Sequence, residues 1–331
     1  MRKHYRIHTR PRKRHHIRVL AVIGLIVIGF GSAVRLNSPA KNPEEQIMSV
    51  AEATAPVAPL KTPIDFPVAI PWPAYGNAGY AVPKDQISVS AKKVSQPVPI
   101  ASLAKIITAL AIIEKKPLAL GQQGSSIPIT ESDIAIYEEY VRKSGTVLPI
   151  EVGTDLSQYQ ALQAIMMVSA NNISDTAAIW AFGSVDAYAT YANDMVRRYG
   201  LTQTTVNDAS GFSPKTVSTP EDMAQLTALY MKHPVLRQIA QEEQATLPFA
   251  GAIRNYNSFA NEGGLIGIKI GNTDEAGRCY IMANIRQTTS GEELSVAVVL
   301  GATDFSIAAK DAVTILSVGD RGHDTLISKQ P

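Results

Sequence analysis

Two periods of apolar residues succeed one another along this chain, and their order predicts its architecture. Strand-like stretches fall near Gly79 to Val82 and Gln86 to Val94, and again at Leu265 to Ile270, Arg278 to Ile285 and Leu294 to Leu300. Between them the pattern is mainly helical: Ser102 to Lys115, Leu156 to Val168, Ile173 to Phe182, Val185 to Tyr199 and Pro220 to Ala240, with a last helix from Phe305 to Leu316. Thr219-Pro220-Glu221-Asp222 is a strong helix start, with a capping hydroxyl, a proline at the first helical position and acids in the first turn. Strands from both ends with helices between predict an α+β domain over 75–319, its antiparallel sheet built from both ends and packed against a mostly helical lobe. About 245 residues suffice for one large domain or two intimate lobes, and no internal repeat is present.

The first 35 residues do not share this pattern. Residues 1–18 hold eight Lys/Arg, four histidines and no acid, and residues 19–34 follow without a charge. This reads as a basic cytoplasmic tail and a transmembrane signal-anchor, with everything after it translocated. Gly31-Ser32-Ala33 offers a passable cleavage site, but the long basic flank favours an uncleaved anchor. Residues 35–74 carry eight prolines and much alanine, the composition of an extended, semi-rigid linker. Residues 320–331 read as a polar C-terminal tail.

Charge changes the picture once it is divided. Residues 1–35 hold nine of the 31 Lys/Arg and no acid, so the remainder has 22 basic side chains against 29 acidic ones. An acidic catalytic part argues against a polyanion, and nucleic acid is not an expected partner. Cys279 is the only cysteine, which excludes an internal disulfide and disfavours a thiol-ligated metal. Only His233 and His323 lie outside the basic tail, and neither is well placed for a Ser-His-Asp triad. No cofactor or metal is expected.

The candidate chemistry lies in three short motifs. Ser102-Leu103-Ala104-Lys105 stands where an extended, proline-marked segment enters an apolar helical run, Ile106 to Ile113. Positions i and i+3 share a helical face, so the Lys105 amine can reach the Ser102 hydroxyl and serve as its base. By itself the pattern is weak: Ser90-Ala91-Lys92-Lys93 is a second copy, and a capping serine before a solvated lysine is the blander reading. Ser169-Ala170-Asn171 then interrupts two apolar helical stretches, and Lys269-Ile270-Gly271 lies on a β-branched strand running into Asn272-Thr273. Lys143-Ser144-Gly145 also exists, but it precedes Ser-x-Asn and reads as a turn.

Ser-x-x-Lys, Ser-x-Asn and Lys-[Ser/Thr]-Gly, in that order, are the signature of active-site serine penicillin-recognising enzymes. Together with Asp208-Ala209-Ser210-Gly211-Phe212 and Ser218 to Ala224, the chain from about Tyr75 to Gly319 resembles the serine D-alanyl-D-alanine carboxypeptidases that trim peptidoglycan stems. The resemblance implies the DD-peptidase/β-lactamase-like fold. It implies Ser102 as nucleophile, Lys105 as base and Ser169 as proton relay, with Asn171, Lys269, Gly271, Asn272 and Thr273 binding substrate. Stem peptides ending in D-Ala-D-Ala would be substrates and β-lactams covalent inhibitors. The backbone N–H groups of Ser102 and Asn272 would form an oxyanion hole. Burial and a second cation would lower the pKa of Lys105, and Lys269 would supply that cation while attracting the terminal carboxylate. A class A β-lactamase would need a glutamate in the stretch Thr202 to Phe212, which has none.

One departure bears on activity. Ile270 replaces the family's threonine or serine, and a hydrogen bond to a charged group is worth roughly 1.5 to 3 kcal/mol. Turnover about 10- to 100-fold below that of relatives is expected, unless Thr273 substitutes. A catalytically weak penicillin- or peptidoglycan-binding protein and a DD-endopeptidase acting on cross-linked stems are the alternative readings.

Overall fold

The computed structural model describes residues 66–90, 96–260, 264–289 and 291–328. The basic tail, the expected anchor and the linker up to residue 65 lie outside them. Among the described residues no helix is long and apolar enough to cross a membrane.

The strand-like ends meet in one antiparallel sheet. Its strands are β1 (Asn77–Val82), β2 (Ile87–Ser90), β9 (Leu265–Thr273), β10 (Gly277–Thr288) and β11 (Gly291–Ala302), in the order β2-β1-β11-β10-β9. Alternate side chains feed opposite faces, as a period of two requires. Cys279, Ile281, Val296 and Val298 join the core under the helices, while Tyr280, Met282, Ala297 and Val299 join the core on the other face. Burial on both faces explains why β10 and β11 read as nearly continuous apolar runs. Three short ladders lie outside the sheet: β3 (Val98–Pro99) with β6 (Val217–Ser218), β4 (Ser126–Pro128) with β5 (Asp155–Ser157), and β7 (Gln244–Leu247) with β8 (Gly251–Arg254).

The helical lobe comprises α1 (Lys105–Lys115), α2 (Glu131–Arg142), α3 (Gln158–Met167), α4 (Asn171–Phe182), α5 (Val185–Arg198), α6 (Pro220–Lys232) and α7 (Pro234–Gln241). Lys105 through Ile113 of α1 are all buried, so this helix is apolar on every side except for the amine at its start and the hydroxyl of Thr108. The expected helix Pro220 to Ala240 is two helices, because Pro234 cannot continue the first one and starts the second.

Both edges of the domain reach further than the sequence pattern suggests. Residues 66–74, read as linker, pack on the far face of the sheet: Ile70 is buried and the Phe66 ring lies 6.1 Å from Tyr80. The last helix, α8 (Phe305–Ser328), continues through most of the stretch read as a polar tail. Two of its polar residues there are buried: Asp320 accepts from Tyr80 Oη and Asn284 Nδ2, each at 2.8 Å, and His323 Nε2 lies 2.8 Å from Asp85.

Candidate active site

Ser102 sits on a strained turn. Residues Ala101–Ala104 form a 3-10 turn and the α-helix begins only at Lys105, so the expected start at Ser102 is a tighter coil than an α-helix. Ala101 adopts φ +46°, a left-handed conformation that costs a non-glycine residue about 1–2 kcal/mol. Ser144 and Ser169 are also left-handed, at φ +56° and +62°. Three of the five non-glycine residues of this kind among those described therefore border one site, where strain is commonly held by function.

The Lys105 amine is wholly buried and makes three hydrogen bonds: to Ser102 Oγ at 2.9 Å, Asn171 Oδ1 at 2.7 Å and the Ser210 carbonyl at 2.6 Å. An ammonium has three N–H donors, and all are used. A neutral amine has two, with a lone pair left for the Ser102 proton. Burial brings the Lys105 pKa down to about 7, against the opposing pull of Asp208 and Asp175. Of the two expected causes, burial is the one that lowers the Lys105 pKa; Lys269 adds no resolved lowering. The repulsion between the two lysines shows at Lys269, where burial and then Lys105 hold the amine well below its ordinary value.

Lys269 is fully buried on β9, the edge strand beside the Ser102 turn, and its Nζ donates to the Ile270 carbonyl at 3.0 Å. Asn257 fixes this stretch of backbone: its Oδ1 accepts from Ile270 N at 2.9 Å and its Nδ2 donates to the Met166 carbonyl at 2.7 Å. Gly271 is where β9 meets the turn. A Cβ there would lie 2.8 Å from Ser102 N and 3.2 Å from Leu103 N, filling the space in front of the serine.

A cavity of about 220 Å³ is lined by Ser102, Ser169, Asn171, Gly271, Asn272 and Thr273. Six of the eight residues anticipated from sequence thus face one space, with the two lysines buried around it. Ile270 lines it too, as do Tyr256 and Phe305. Ser90, start of the second Ser-x-x-Lys copy, is in β2 at the opposite edge of the sheet.

Sequence reasoning missed the support around Lys105. Asp208 accepts from Ser210 Oγ at 2.8 Å, Phe212 N at 2.8 Å, Ser213 N at 3.3 Å and Thr216 Oγ1, and so holds the loop whose carbonyl receives Lys105. Tyr140 Oη stands between Ser210 Oγ (3.0 Å) and Asp175 Oδ2 (2.8 Å). The turn Lys143-Ser144-Gly145 is a turn, as expected, yet Ser144, Gly145 and Thr146 line the cavity. Asn172 clamps that loop through both the N–H and the carbonyl of Leu148, at 2.9 Å each. The one available signal was the stretch Asp208 to Phe212; nothing local marks Tyr140, Asp175 or Asn257.

Residues 86–304 match the family model described as D-alanyl-D-alanine carboxypeptidase. The chain belongs to that family. A D-alanyl-D-alanine endopeptidase from Pseudomonas aeruginosa is 27% identical over 194 residues, which is 56% of this chain and 59% of that protein's length. The fold is shared with a D-alanyl-D-alanine carboxypeptidase from Mycobacterium tuberculosis (TM-score 0.66, 22% identity, 77% of this chain and 94% of that one). It is shared also with a Streptomyces DD-transpeptidase (TM-score 0.67, 19% identity, 77% of this chain and 100% of that one).

Proposed function

We propose that this family member is a serine D-alanyl-D-alanine carboxypeptidase, removing the terminal D-alanine from peptidoglycan stem pentapeptides. The observation that carries the reading is the 2.9 Å contact between Lys105 Nζ and Ser102 Oγ, made by an amine whose pKa burial lowers to about 7. Neutral Lys105 takes the hydroxyl proton as Ser102 Oγ attacks the carbonyl between the two D-alanines. The N–H groups of Ser102 and Asn272 receive the oxyanion. Ser169 passes a proton to the departing amine, the C–N bond breaks, and D-alanine leaves an acyl-enzyme on Ser102. Water then attacks the ester with Lys105 again as base, returning the serine.

Lys269 and Asn171 have binding roles in this scheme. The terminal carboxylate brings a negative charge towards Lys269, which favours the protonated amine and restores the cation that burial suppresses. Asn171 holds the peptide amide while orienting Lys105. The basic segment 1–18 and uncharged segment 19–34 support a membrane-tethered enzyme with its catalytic domain on the extracytoplasmic side, acting on cell-wall peptides and acylated by β-lactams.

The curated relative named an endopeptidase favours a second reading, cleavage of cross-links between stems. Purified protein incubated with a pentapeptide stem and with a cross-linked stem dimer separates the two. Free D-alanine from the pentapeptide supports the carboxypeptidase; cleavage of the dimer alone replaces it with the endopeptidase. Penicillin labelling without release from either substrate leaves a binding protein.

A further inference from the structure

A second group of titratable side chains gathers at the turn Pro83–Asp85, and none of them lines the catalytic cavity. His323 reaches it from α8, Glu293 from β11 and Asp85 from the turn between β1 and β2. One ligand atom from each lies within 4.8 Å of the other two. Glu293 and His323 are buried, whereas Asp85 is exposed.

His323 carries the signal for a ligand. Its Nε2 lies 2.8 Å from Asp85 Oδ2 and its Nδ1 3.4 Å from Glu293 Oε1, yet neither nitrogen makes a hydrogen bond with any described residue. An imidazole bonded in line to both carboxylates would hold their oxygens on the order of 8 Å apart. Here an oxygen from each converges on the same side of the ring. Two unpartnered nitrogens on a buried ring are costly, and three donor atoms drawn together beside it suit a cation. Two ligands of a tetrahedral zinc stand roughly 3.4 Å apart, which is the separation of His323 Nδ1 and Glu293 Oε1. Charge points the same way. Arg286 pairs with Glu293, Asp320 and Asp324, so its one positive charge offsets one of these three, and Asp85 adds a fourth carboxylate. A carboxylate has lone pairs enough for both Arg286 and a metal.

We propose that Asp85, Glu293 and His323 bind a zinc-type divalent cation, with water completing its shell on the exposed side of Asp85. One imidazole nitrogen with two carboxylates is a donor set that zinc accepts. Magnesium and calcium, which take all-oxygen shells, fit it poorly. The ion ties the β1–β2 turn and β11 to the last helix, and because only the folded chain assembles the three ligands, its binding free energy stabilises the fold. The chemistry at Ser102 does not draw on it. This departs from the expectation of no metal, since residues 85, 293 and 323 are too far apart in the chain to show a ligand spacing.

Thermal unfolding of the full chain, stripped with EDTA and then supplied with zinc chloride, tests the site. Zinc at about 100 times its Kd is expected to raise the melting temperature by about 5–10 °C, and magnesium chloride at the same concentration is expected to leave it unchanged. His323→Gln should abolish the shift. Asp85→Asn, on an exposed turn, should weaken zinc binding by at least about tenfold, and it decides the matter even if His323→Gln does not fold. A melting temperature that zinc leaves unchanged overturns the site, and zinc found bound in that case would belong to the four histidines of residues 1–18. An equal shift in the unaltered chain and in Asp85→Asn overturns it too. A melting temperature that ignores zinc and rises on acidification from about pH 7.5 to about 6 would replace the metal with a protonated His323 between the two carboxylates.

Discussion

Gly271 lies against Ser102 so closely that a β-carbon on the glycine would stand 2.8 Å from the serine's backbone nitrogen. The space this leaves is where an oxyanion must sit if Ser102 N–H is to stabilise it. Gly271→Ala should therefore slow acylation by at least about 100-fold. Stopped-flow measurement with a chromogenic β-lactam checks this, and an acylation rate near that of the unaltered protein would mean the oxyanion is bound elsewhere.

The pH dependence follows from Lys105. Burial lowers its pKa to about 7, and only the neutral amine accepts a proton. Acylation should rise with pH through about 7 and level off above it, the opposite of a mechanism that needs the ammonium. A rate profile of kcat/KM between pH 5 and 9 reads the limb directly. A limb near the ordinary lysine value, about 10.4, would remove Lys105 from the role of base.

Ile270 lines the cavity at the position where the family resemblance implies threonine or serine. Ile270→Thr should raise turnover of a pentapeptide by about 10- to 100-fold, mainly through binding of the free carboxylate. An unchanged or lower rate would assign that carboxylate to another group, with Thr273 the nearest candidate on the same strand.

Ser169 trades stability for position. At φ +62° a glycine would relieve about 1 kcal/mol of strain. Ser169→Gly should raise the melting temperature by roughly 2–4 °C while lowering acylation about 100-fold through loss of the hydroxyl. Thermal unfolding and penicillin acylation on the same sample measure both. A variant more stable and equally active would make the serine dispensable as a relay.

The sheet and most helices were legible because their apolar patterns survive in the fold: nearly continuous apolar runs in β10 and β11, buried on both faces, and a buried, mainly apolar helix behind Lys105. The continuation of α8 was not, because Asp320, Gly322 and His323 look like solvated tail residues until Tyr80, Asn284 and Asp85 are placed beside Asp320 and His323. At the site, Ser102, Ser169, Asn171 and the Lys269 strand announced themselves as motifs because their chemistry depends on local spacing. Tyr140, Asp175 and Asn257 act across the fold, on partners 13 to 91 residues away. No local pattern can mark such residues. The single-proline break at His233-Pro234 was readable and was overridden by the apolar pattern on either side of it.

The nucleophile is the claim on which all the rest depends, and intact-protein mass spectrometry after brief exposure to a penicillin tests it most directly. The unaltered protein should gain the mass of one penicillin, with the adduct on the peptide containing Ser102, and Ser102→Ala should gain none while retaining its thermal unfolding transition. An adduct on the folded Ser102→Ala protein, or on another serine of the unaltered one, would contradict the account.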